Sequence, residues 1–356
     1  MTEPANSWRC TGAQWTADGP GLGWTSPRHG ERQSPLLLPG GPLAFAVTGG
    51  RRCVGVPRAG RRVDCPTGTE IPPSAANPLC PACAAVDRRH SVAADTALDD
   101  PQPYRLYLAW FGPGLVKIGI TAAGRGDRRL LGQGALVHTW LGEGALPGVR
   151  RAERVLGTAL GLPDRMAHAA KAAARSAAPL PAAAAAIVGA PDPAASTPAA
   201  STPATPDPAA SDPAASDPAA SDPAASAPVS PDPAAAELQV VHRAAHGHAA
   251  WPDTVARLPF TAHDHTAAYH FDRARPPRPD RLIGRLAPGA TVAGTLAAIV
   301  GPDAYLRPPG IGPLLLVDLR LLAGWQLTRT DPAAPTTAPT VPFPYPAVRD
   351  EPPALF

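Results

Sequence analysis

Large apolar side chains and long apolar runs are scarce in this sequence. Aromatic residues make up 5% of the 356 positions, and two residues are methionine. No segment approaches the ~20 consecutive apolar residues that a helix needs to cross a bilayer. The first residues also lack the basic start and apolar core of a signal peptide. We therefore expect a cytoplasmic protein that has no membrane partner.

One long segment has no basic residues. Residues 179–236 contain six Asp and no Lys or Arg, and they repeat the pentapeptide Asp-Pro-Ala-Ala-Ser. Proline in every repeat blocks both helix and sheet. Without large apolar side chains, nothing offsets the entropy lost on ordering. This low-complexity composition predicts an extended, disordered linker, and the Pro-rich residues 331–356 predict a disordered tail.

Positive charge is concentrated before that linker. Residues 1–178 carry 21 Lys and Arg against 13 Asp and Glu, whereas residues 237–356 carry 11 against 10. A basic block is typical of proteins that bind nucleic acid. A preference for Arg over Lys, combined with much Ala and Pro, is also typical of a GC-rich genome, in which scattered Arg is common. Composition alone leaves both interpretations open.

All five cysteines also lie before the linker. Cys80 and Cys83 form a C-x-x-C pair, which presents two thiolates to one metal ion. Cys53 and Cys65 are the natural second pair, so these four residues predict a structural Zn²⁺ with no open coordination position. Cys10 could be a zinc ligand in place of Cys53, or it could be a free thiol. A redox C-x-x-C would need a βαβ context that the sequence does not show, and unliganded cysteines are the remaining interpretation.

The middle of the sequence is its most strand-like part. Two apolar runs, Leu106–Phe111 and Leu115–Ile120, flank Gly112-Pro113-Gly114, which is the pattern of a β-hairpin. A third strand is predicted over Ala135–Leu141. Apolar residues at helical spacing predict a helix over Val149–Leu160.

A basic segment follows the hairpin. Arg125, Arg128 and Arg129 lie where the chain leaves the second predicted strand and enters a helix. An Arg-bearing helix in this position suits an anionic ligand. The same three residues are also compatible with an ordinary solvent-exposed face.

The sequence becomes ordered again after the linker. Its first part is rich in histidine, and His246-Gly247-His248 or His263-Asp264-His265 offers a weak chelate, although the spacing sets no third ligand. Short strands then follow between Gly and Pro residues. They are predicted at Leu282–Leu286, Thr291–Val300, Leu314–Leu319 and Trp325–Thr328, which together suggest a small β-module.

These motifs resemble an uncharacterised bacterial family, domain of unknown function 2797. The shared features are an early Cys-x-Gly, an Arg-Cys-x-Gly element at Arg52–Gly55, a Cys-Pro, the C-x-x-C pair, and a run from Tyr107 to Ala135 that includes Val-Lys-Ile-Gly-Ile-Thr and Gln-Gly-Ala. The Gly-rich C-terminal strands also look like that family. The family has no assigned activity, so the resemblance implies no reaction.

The core is also similar to the GIY-YIG nuclease superfamily, which carries its two tripeptides on neighbouring strands. Tyr107 stands near the first Tyr, and Ile118-Gly119 matches the end of the second tripeptide, with Lys117 in the place of its Tyr. The resemblance implies four catalytic residues, which are Tyr107, Lys117, Arg129 and Glu153. In such an enzyme a Tyr or its neighbour activates water, the helix Arg (Arg129, with Arg125 as second choice) stabilises phosphate charge, and Glu153 holds a catalytic Mg²⁺ or Mn²⁺.

Lys117 departs from the superfamily pattern. A lysine cannot act as a phenolate base, although it can contact phosphate as a point charge. The residues expected to bind nucleic acid are Lys117, Arg125, Arg128 and Arg129. Tyr107 also has a plainer interpretation as a half-buried strand aromatic, and Glu153 as a solvated helix residue paired with nearby Arg.

The predicted fold class is α+β. Its expected parts are a Cys-rich, zinc-stabilised β region (1–103), a GIY-YIG-like αβ core (104–178), the disordered linker (179–236), a His-rich segment with a small β-module (237–330) and the disordered tail (331–356). The leading functional prediction is a nucleic-acid-interacting protein, in its specific form a divalent-metal-dependent nuclease. The alternatives are a non-catalytic, zinc-dependent nucleic-acid-binding module and a protein-interaction scaffold.

Overall fold

The computed structural model describes residues 7–58, 61–75, 77–89, 100–176 and 232–345. Among these residues, no helix has both the length and the apolar character that a membrane span requires. Most of the predicted linker, residues 179–231, lies outside the described residues, as do residues 346–356 of the predicted tail.

The described residues before position 100 form short strands and one helix. Their elements are β1 (Arg9–Thr16), β2 (Gly19–Ser26), β3 (Gly30–Pro35), β4 (Pro42–Thr48), β5 (Val56–Arg58), β6 (Arg61–Val63) and α1 (Pro81–Arg89). Strands β1, β2 and β3 form one antiparallel sheet, and β5 pairs with β6 in a small hairpin. The apolar run Leu36–Leu38 lies just beyond the end of β3 and belongs to no strand.

The middle segment contains three strands and three α-helices among the described residues. They are β7 (Tyr104–Trp110), β8 (Val116–Ala122), α2 (Arg128–Gln133), β9 (Val137–Gly144), α3 (Leu146–Ala159) and α4 (His168–Arg175). The predicted hairpin is confirmed, since β7 and β8 pair in antiparallel register with Tyr107 opposite Gly119. The third strand and the long helix are also confirmed, each with slightly shifted bounds.

The chain after the predicted linker contributes two helices and eight strands among the described residues. They are α5 (Pro233–His246), β10 (Val255–Arg257), β11 (His263–Asp264), α6 (Thr266–Tyr269), β12 (Arg281–Ile283), β13 (Thr291–Val300), β14 (Asp303–Arg307), β15 (Leu315–Asp318), β16 (Gln326–Arg329) and β17 (Thr340–Pro342). Helix α5 begins inside the predicted linker, because Ala234 and Leu238 are fully buried and anchor its first turns.

Two sheets join segments from both sides of the linker. Strands β10 and β11 pair with β9, beside the β7–β8 hairpin. The larger sheet has seven strands in the order β16-β4-β13-β14-β15-β12-β17, so β4 from the Cys-rich segment lies between two C-terminal strands. The described parts of residues 1–179 and 234–356 accordingly form one compact unit.

The tail prediction is wrong for residues 331–345. Strand β17 pairs with β12, and Ala338 and Phe343 are buried at 5% and 7% exposure. Ala338 and Phe343 pack into two different hydrophobic clusters, and their burial favours order despite the high proline content of the segment.

Candidate functional site

A cavity of about 870 Å³ opens between the β7–β8 hairpin and helices α2, α3 and α4. All four residues predicted as catalytic line it: Tyr107, Lys117, Arg129 and Glu153. Other lining residues include Gly119, Gln133, Arg150, Arg154, Asp164, Arg165 and Lys171. The cavity lies within the size range of ordinary small-ligand sites.

Tyr107 and Lys117 meet at the base of this cavity. Both side chains are buried, and the Lys117 ammonium nitrogen lies 3.5 Å from the Tyr107 hydroxyl oxygen. Gln133 links them, because its amide nitrogen donates to that hydroxyl over 3.1 Å and its amide oxygen accepts from Lys117 over 3.3 Å. The three side chains hold one another in place by this closed set of hydrogen bonds.

Gly119 leaves the space that the Tyr107 hydroxyl occupies. The two residues are opposite one another in the β7–β8 pairing. A methyl group at position 119 would overlap the hydroxyl oxygen and the ring of Tyr107. Glycine is therefore required here by close approach and not by an unusual backbone angle.

Glu153 lies on α3 and faces the same cavity. Burial raises the pKa of its carboxyl group, while the positive charges of Lys117, Arg129 and Arg150 lower it and the negative charge of Asp164 raises it. Glu153 is thus a partly buried carboxylate whose surroundings are mainly basic, and not a freely solvated helix residue.

Basic side chains dominate the cavity wall. The wall carries two carboxylates, Glu153 and Asp164, and six basic side chains, which are Lys117, Arg129, Arg150, Arg154, Arg165 and Lys171. The chain has two lysines among its 32 basic residues, and both line this one cavity. Burial, helped by the positive charges of Lys117 and Arg175, lowers the pKa of Lys171 to about 7.

The predicted nucleic-acid-binding arginines lie beside the cavity. Arg125, Arg128 and Arg129 surround a second concave region of about 510 Å³. Arg129 and Gln133 line both concavities, so the exposed arginines continue into the deeper cavity that holds Lys117. The sequence pattern identified these arginines, whereas Arg150, Arg154 and Lys171 lie on helices whose packing it could not predict.

Four cysteines form a separate cluster around α1. The sulfur atoms of Cys53, Cys65, Cys80 and Cys83 all lie within 4.8 Å of one another, and those of Cys65 and Cys80 are 3.8 Å apart. Four thiolates arranged tetrahedrally at ~2.3 Å from Zn²⁺ would be separated by about 3.8 Å. The donor set and its spacing therefore fit a structural metal ion such as zinc.

The surroundings of the cluster favour a thiolate at one position. Burial opposes ionisation of Cys65, but hydrogen bonds from the Thr67 hydroxyl and from the Thr69 and Thr67 amides outweigh it and lower the thiol pKa to about 6. Cys10 lies elsewhere, in the core below the seven-stranded sheet, where burial raises its thiol pKa to about 12. Cys53 and not Cys10 completes the cluster.

Comparison with known proteins finds one similarity. Residues 40–202 match the family model described as "Protein of unknown function (DUF2797)". No curated protein and no solved structure matches the chain. The similarity to GIY-YIG nucleases therefore stays a prediction from sequence motifs. Over residues 40–202, which include the cysteine cluster and most of the cavity wall, the chain is similar to a family whose function is unknown.

Proposed function

We propose that the cavity binds the sugar–phosphate backbone of a nucleic acid and cleaves a phosphodiester bond. The observation that carries this proposal is the meeting of Tyr107, Lys117, Arg129 and Glu153 in one cavity that continues into the exposed arginines of α2. These residues are the ones that the resemblance to GIY-YIG nucleases selects. The fold prediction of a GIY-YIG-like core belongs to the same proposal.

The charge of the cavity supports a polyanionic substrate. Six basic side chains against two acidic ones give an excess of four formal positive charges. Such an excess would repel a cationic ligand, and it suits phosphate groups, which Arg binds through paired N–H donors. The neighbouring Arg125 and Arg128 extend the positive surface beyond the cavity, where further phosphates of a polyanion could bind.

The buried side chains suggest a division of roles. Arg129 and Lys117 would neutralise the charge that develops on the phosphate oxygens during cleavage. Gln133 fixes the orientation of both Lys117 and the Tyr107 hydroxyl through its two hydrogen bonds. Tyr107 would orient the attacking water, since its hydroxyl is the polar group that Lys117 and Gln133 both contact.

The carboxylates of the cavity fit a hard divalent ion. Mg²⁺ is commonly bound by one or two carboxylates together with substrate phosphate and water, and Glu153 and Asp164 provide that donor type. Glu153 would hold the ion, which would supply Lewis-acid stabilisation of phosphate charge. The surrounding arginines oppose a lone divalent cation, so we expect the ion to bind together with the nucleic acid.

A cleavage assay tests the proposal. Purified protein is incubated with single- and double-stranded DNA and RNA in Mg²⁺ or Mn²⁺, beside Glu153→Gln and the surface control Asp18→Asn prepared identically. We expect cleavage by the wild type and by Asp18→Asn, and at least ~100-fold slower cleavage by Glu153→Gln with binding retained.

The other outcomes separate the alternatives. Binding without cleavage in every protein would favour a non-catalytic nucleic-acid-binding module, in which replacement of Arg125, Arg128 and Arg129 should weaken affinity and reduce its salt dependence. Neither binding nor cleavage would favour a protein-interaction scaffold. Equal cleavage by wild type and Glu153→Gln would contradict the assigned role of Glu153.

A further inference from the structure

A cluster of histidines and one aspartate lies next to the start of α2, and the proposed function does not use it. Asp127, His138 and His263 each present a side-chain N or O atom, and these atoms all lie within 4.8 Å of one another. The three residues come from distant parts of the sequence. Asp127 immediately precedes α2, His138 lies in β9 and His263 in β11.

The strand register brings the two histidines together. His263 is directly opposite His138 in the antiparallel pairing of β11 with β9. Directly opposite residues carry their side chains on the same face of a sheet, and the two imidazole rings accordingly stack with their centres 4.6 Å apart. The carboxylate of Asp127 closes the cluster, with one oxygen 3.5 Å from the Nε2 atom of His138.

His138 has an unusual environment for a structural histidine. Its side chain is fully buried, and neither ring nitrogen has a hydrogen-bond partner in the described part of the chain. Buried polar atoms are normally paired, because leaving them unpaired costs free energy.

His265 orients the cluster from its edge. Its Nδ1 atom lies 3.0 Å from the carbonyl oxygen of Ala135, which can only accept, so Nδ1 carries the hydrogen. Its Nε2 atom lies 3.8 Å from the Asp127 carboxylate. The Ala135 carbonyl therefore fixes the ring of His265 against Asp127, and outer groups that hold a ligand in position are a common feature of metal sites.

We propose that Asp127, His138 and His263 bind a divalent first-row transition metal ion, separate from the ion of the cysteine cluster, with His265 as a positioning residue. Two imidazoles and one carboxylate suit Zn²⁺ and similar ions better than Mg²⁺ or Ca²⁺, which prefer oxygen ligands. Three protein ligands leave one tetrahedral position for water or another ligand. The cluster borders solvent on the side of Asp127, whose side chain is 44% exposed.

The test uses the full chain with its cysteine site filled. Protein loaded with one equivalent of Zn²⁺ is titrated with Co²⁺, which binds a given site more weakly than Zn²⁺ does and so leaves the thiolates occupied. Calorimetry and visible absorption record the binding. We expect one further equivalent of Co²⁺ in the wild type, without the strong thiolate charge-transfer absorption that a cysteine site would give.

Three variants identify the ligands. Loss of an outer partner typically lowers metal affinity ~10–100-fold, and we expect His265→Ala to lower the Co²⁺ affinity of the second site by about this factor. Asp127→Asn and His263→Ala each remove a ligand, so each should lower that affinity by a larger factor. His270→Asn is the matched control, since His270 is exposed and has a φ of 51°, which Asn tolerates. Its affinity should equal that of the wild type.

The variants are chosen to remain folded. Asp127 makes no capping hydrogen bond to α2, so Asn in its place removes a charge without removing a cap. Circular dichroism verifies that each variant keeps the wild-type spectrum. Absence of a second equivalent in the wild type would overturn the proposal, as would unchanged Co²⁺ affinity in folded Asp127→Asn and His263→Ala. Either result is independent of nuclease activity.

Discussion

Gly119 is the single position where adding one carbon atom should damage the candidate site most. In Gly119→Ala the new methyl group would displace the Tyr107 hydroxyl and break its hydrogen bonds with Lys117 and Gln133. We expect a stability loss of about 1–3 kcal/mol from overpacking. The rate of nucleic-acid cleavage, or the affinity for nucleic acid if the protein does not cleave, should fall further than the loss of folded protein would explain. Urea unfolding and the cleavage assay measure the two effects.

Gly124 provides the matched control for this substitution. It also lies near the exit of the hairpin, but a methyl group there would meet nothing within 4 Å. Gly124→Ala should therefore behave as the wild type in both assays. A Gly119→Ala protein with normal affinity and activity would show that the position of the Tyr107 hydroxyl is unimportant.

Lys171 should make anion binding depend on pH near neutrality. Burial lowers its pKa to about 7, so the side chain loses its positive charge as pH rises through 7. Affinity for a single-stranded oligonucleotide should consequently fall between pH 6 and pH 8, by roughly threefold to tenfold for the loss of one nearby charge. Fluorescence anisotropy at constant ionic strength measures this change.

The contribution of Lys171 must be separated from that of Glu153, whose pKa burial raises. Both proteins in the comparison therefore carry Glu153→Gln, and one also carries Lys171→Arg. Arginine stays charged across this pH range, so the Lys171→Arg protein should show a flat affinity profile. An equally steep profile in both proteins would assign the pH dependence to another group.

Individual site residues were predictable where a short motif contained them. The C-x-x-C spacing identified Cys80 and Cys83, and the resemblance to the GIY-YIG tripeptides selected Tyr107 and Lys117. Asp127 and His138 belong to no local pattern, since a lone aspartate and a lone strand histidine usually serve packing or solvation. Their meeting depends on the register between β9 and β11, which short-range sequence signals do not specify.

At the scale of elements, one buried ion pair fastens α4 to β14. Arg175 donates to the Asp303 carboxylate, and both side chains are fully buried. Removing one partner of such a pair leaves an uncompensated buried charge and typically costs about 3–5 kcal/mol. Asp303→Asn should therefore lower the free energy of unfolding by this amount, as measured by urea denaturation.

The nearby pair of Arg320 with Asp318 is the natural comparison. The Arg320 side chain is 55% exposed, and solvent-exposed ion pairs contribute at most about 1 kcal/mol. Arg320→Gln should change stability by no more than that. Equal effects of the two substitutions would contradict the view that burial makes the α4–β14 pair important.

Elements were predictable where the signal was local. The β7–β8 hairpin, β9 and α3 follow from apolar periodicity and turn residues within a few positions. Strand β14 was missed because it has only five residues, of which the first is Asp303 and the last is Arg307. Gly301 and Pro302 mark the turn before it, but so short a segment gives a weak strand signal. Strand β17 was missed because proline dominates its surroundings, although Ala338 and Phe343 supply the apolar contacts that order it.

At the scale of the whole molecule, the cysteine cluster should determine whether the N-terminal region stays folded. Loss of a structural metal is among the few changes that cost more than about 4 kcal/mol. Cys80→Ser, or treatment with a strong chelator, should lower the metal content by one ion per chain and lower the unfolding temperature. Elemental analysis and calorimetry measure these changes.

Cys10→Ala is the control for the cysteine cluster. Cys10 is buried but belongs to a different core region, so its replacement should leave a cavity without releasing metal. A loss of metal in Cys10→Ala, or full metal content in Cys80→Ser, would contradict the assignment of the four ligands.

The shared sheets predict that neither half of the chain folds alone. A fragment of residues 1–179 would leave β4 without β13 and β16, and β9 without β10 and β11. Unpaired strand edges promote aggregation. We expect this fragment to be insoluble by itself and to be rescued by co-expression of residues 232–356, with recovery followed by size-exclusion chromatography. A soluble, monomeric 1–179 fragment with dispersed NMR signals would contradict this expectation.

The position of β4 in the seven-stranded sheet also has a consequence for synthesis. Translation reaches Thr48 long before Gln326, and at ~5–20 residues per second the interval is roughly 15 to 55 seconds. During that time the apolar side chains of Leu43, Phe45 and Val47, which are buried in the finished sheet, have no partner strand. The hairpin of β7 and β8 can form on the ribosome from its own neighbours. The largest sheet can close only when the last part of the chain emerges, so the nascent protein should depend on chaperones that shield its N-terminal segment.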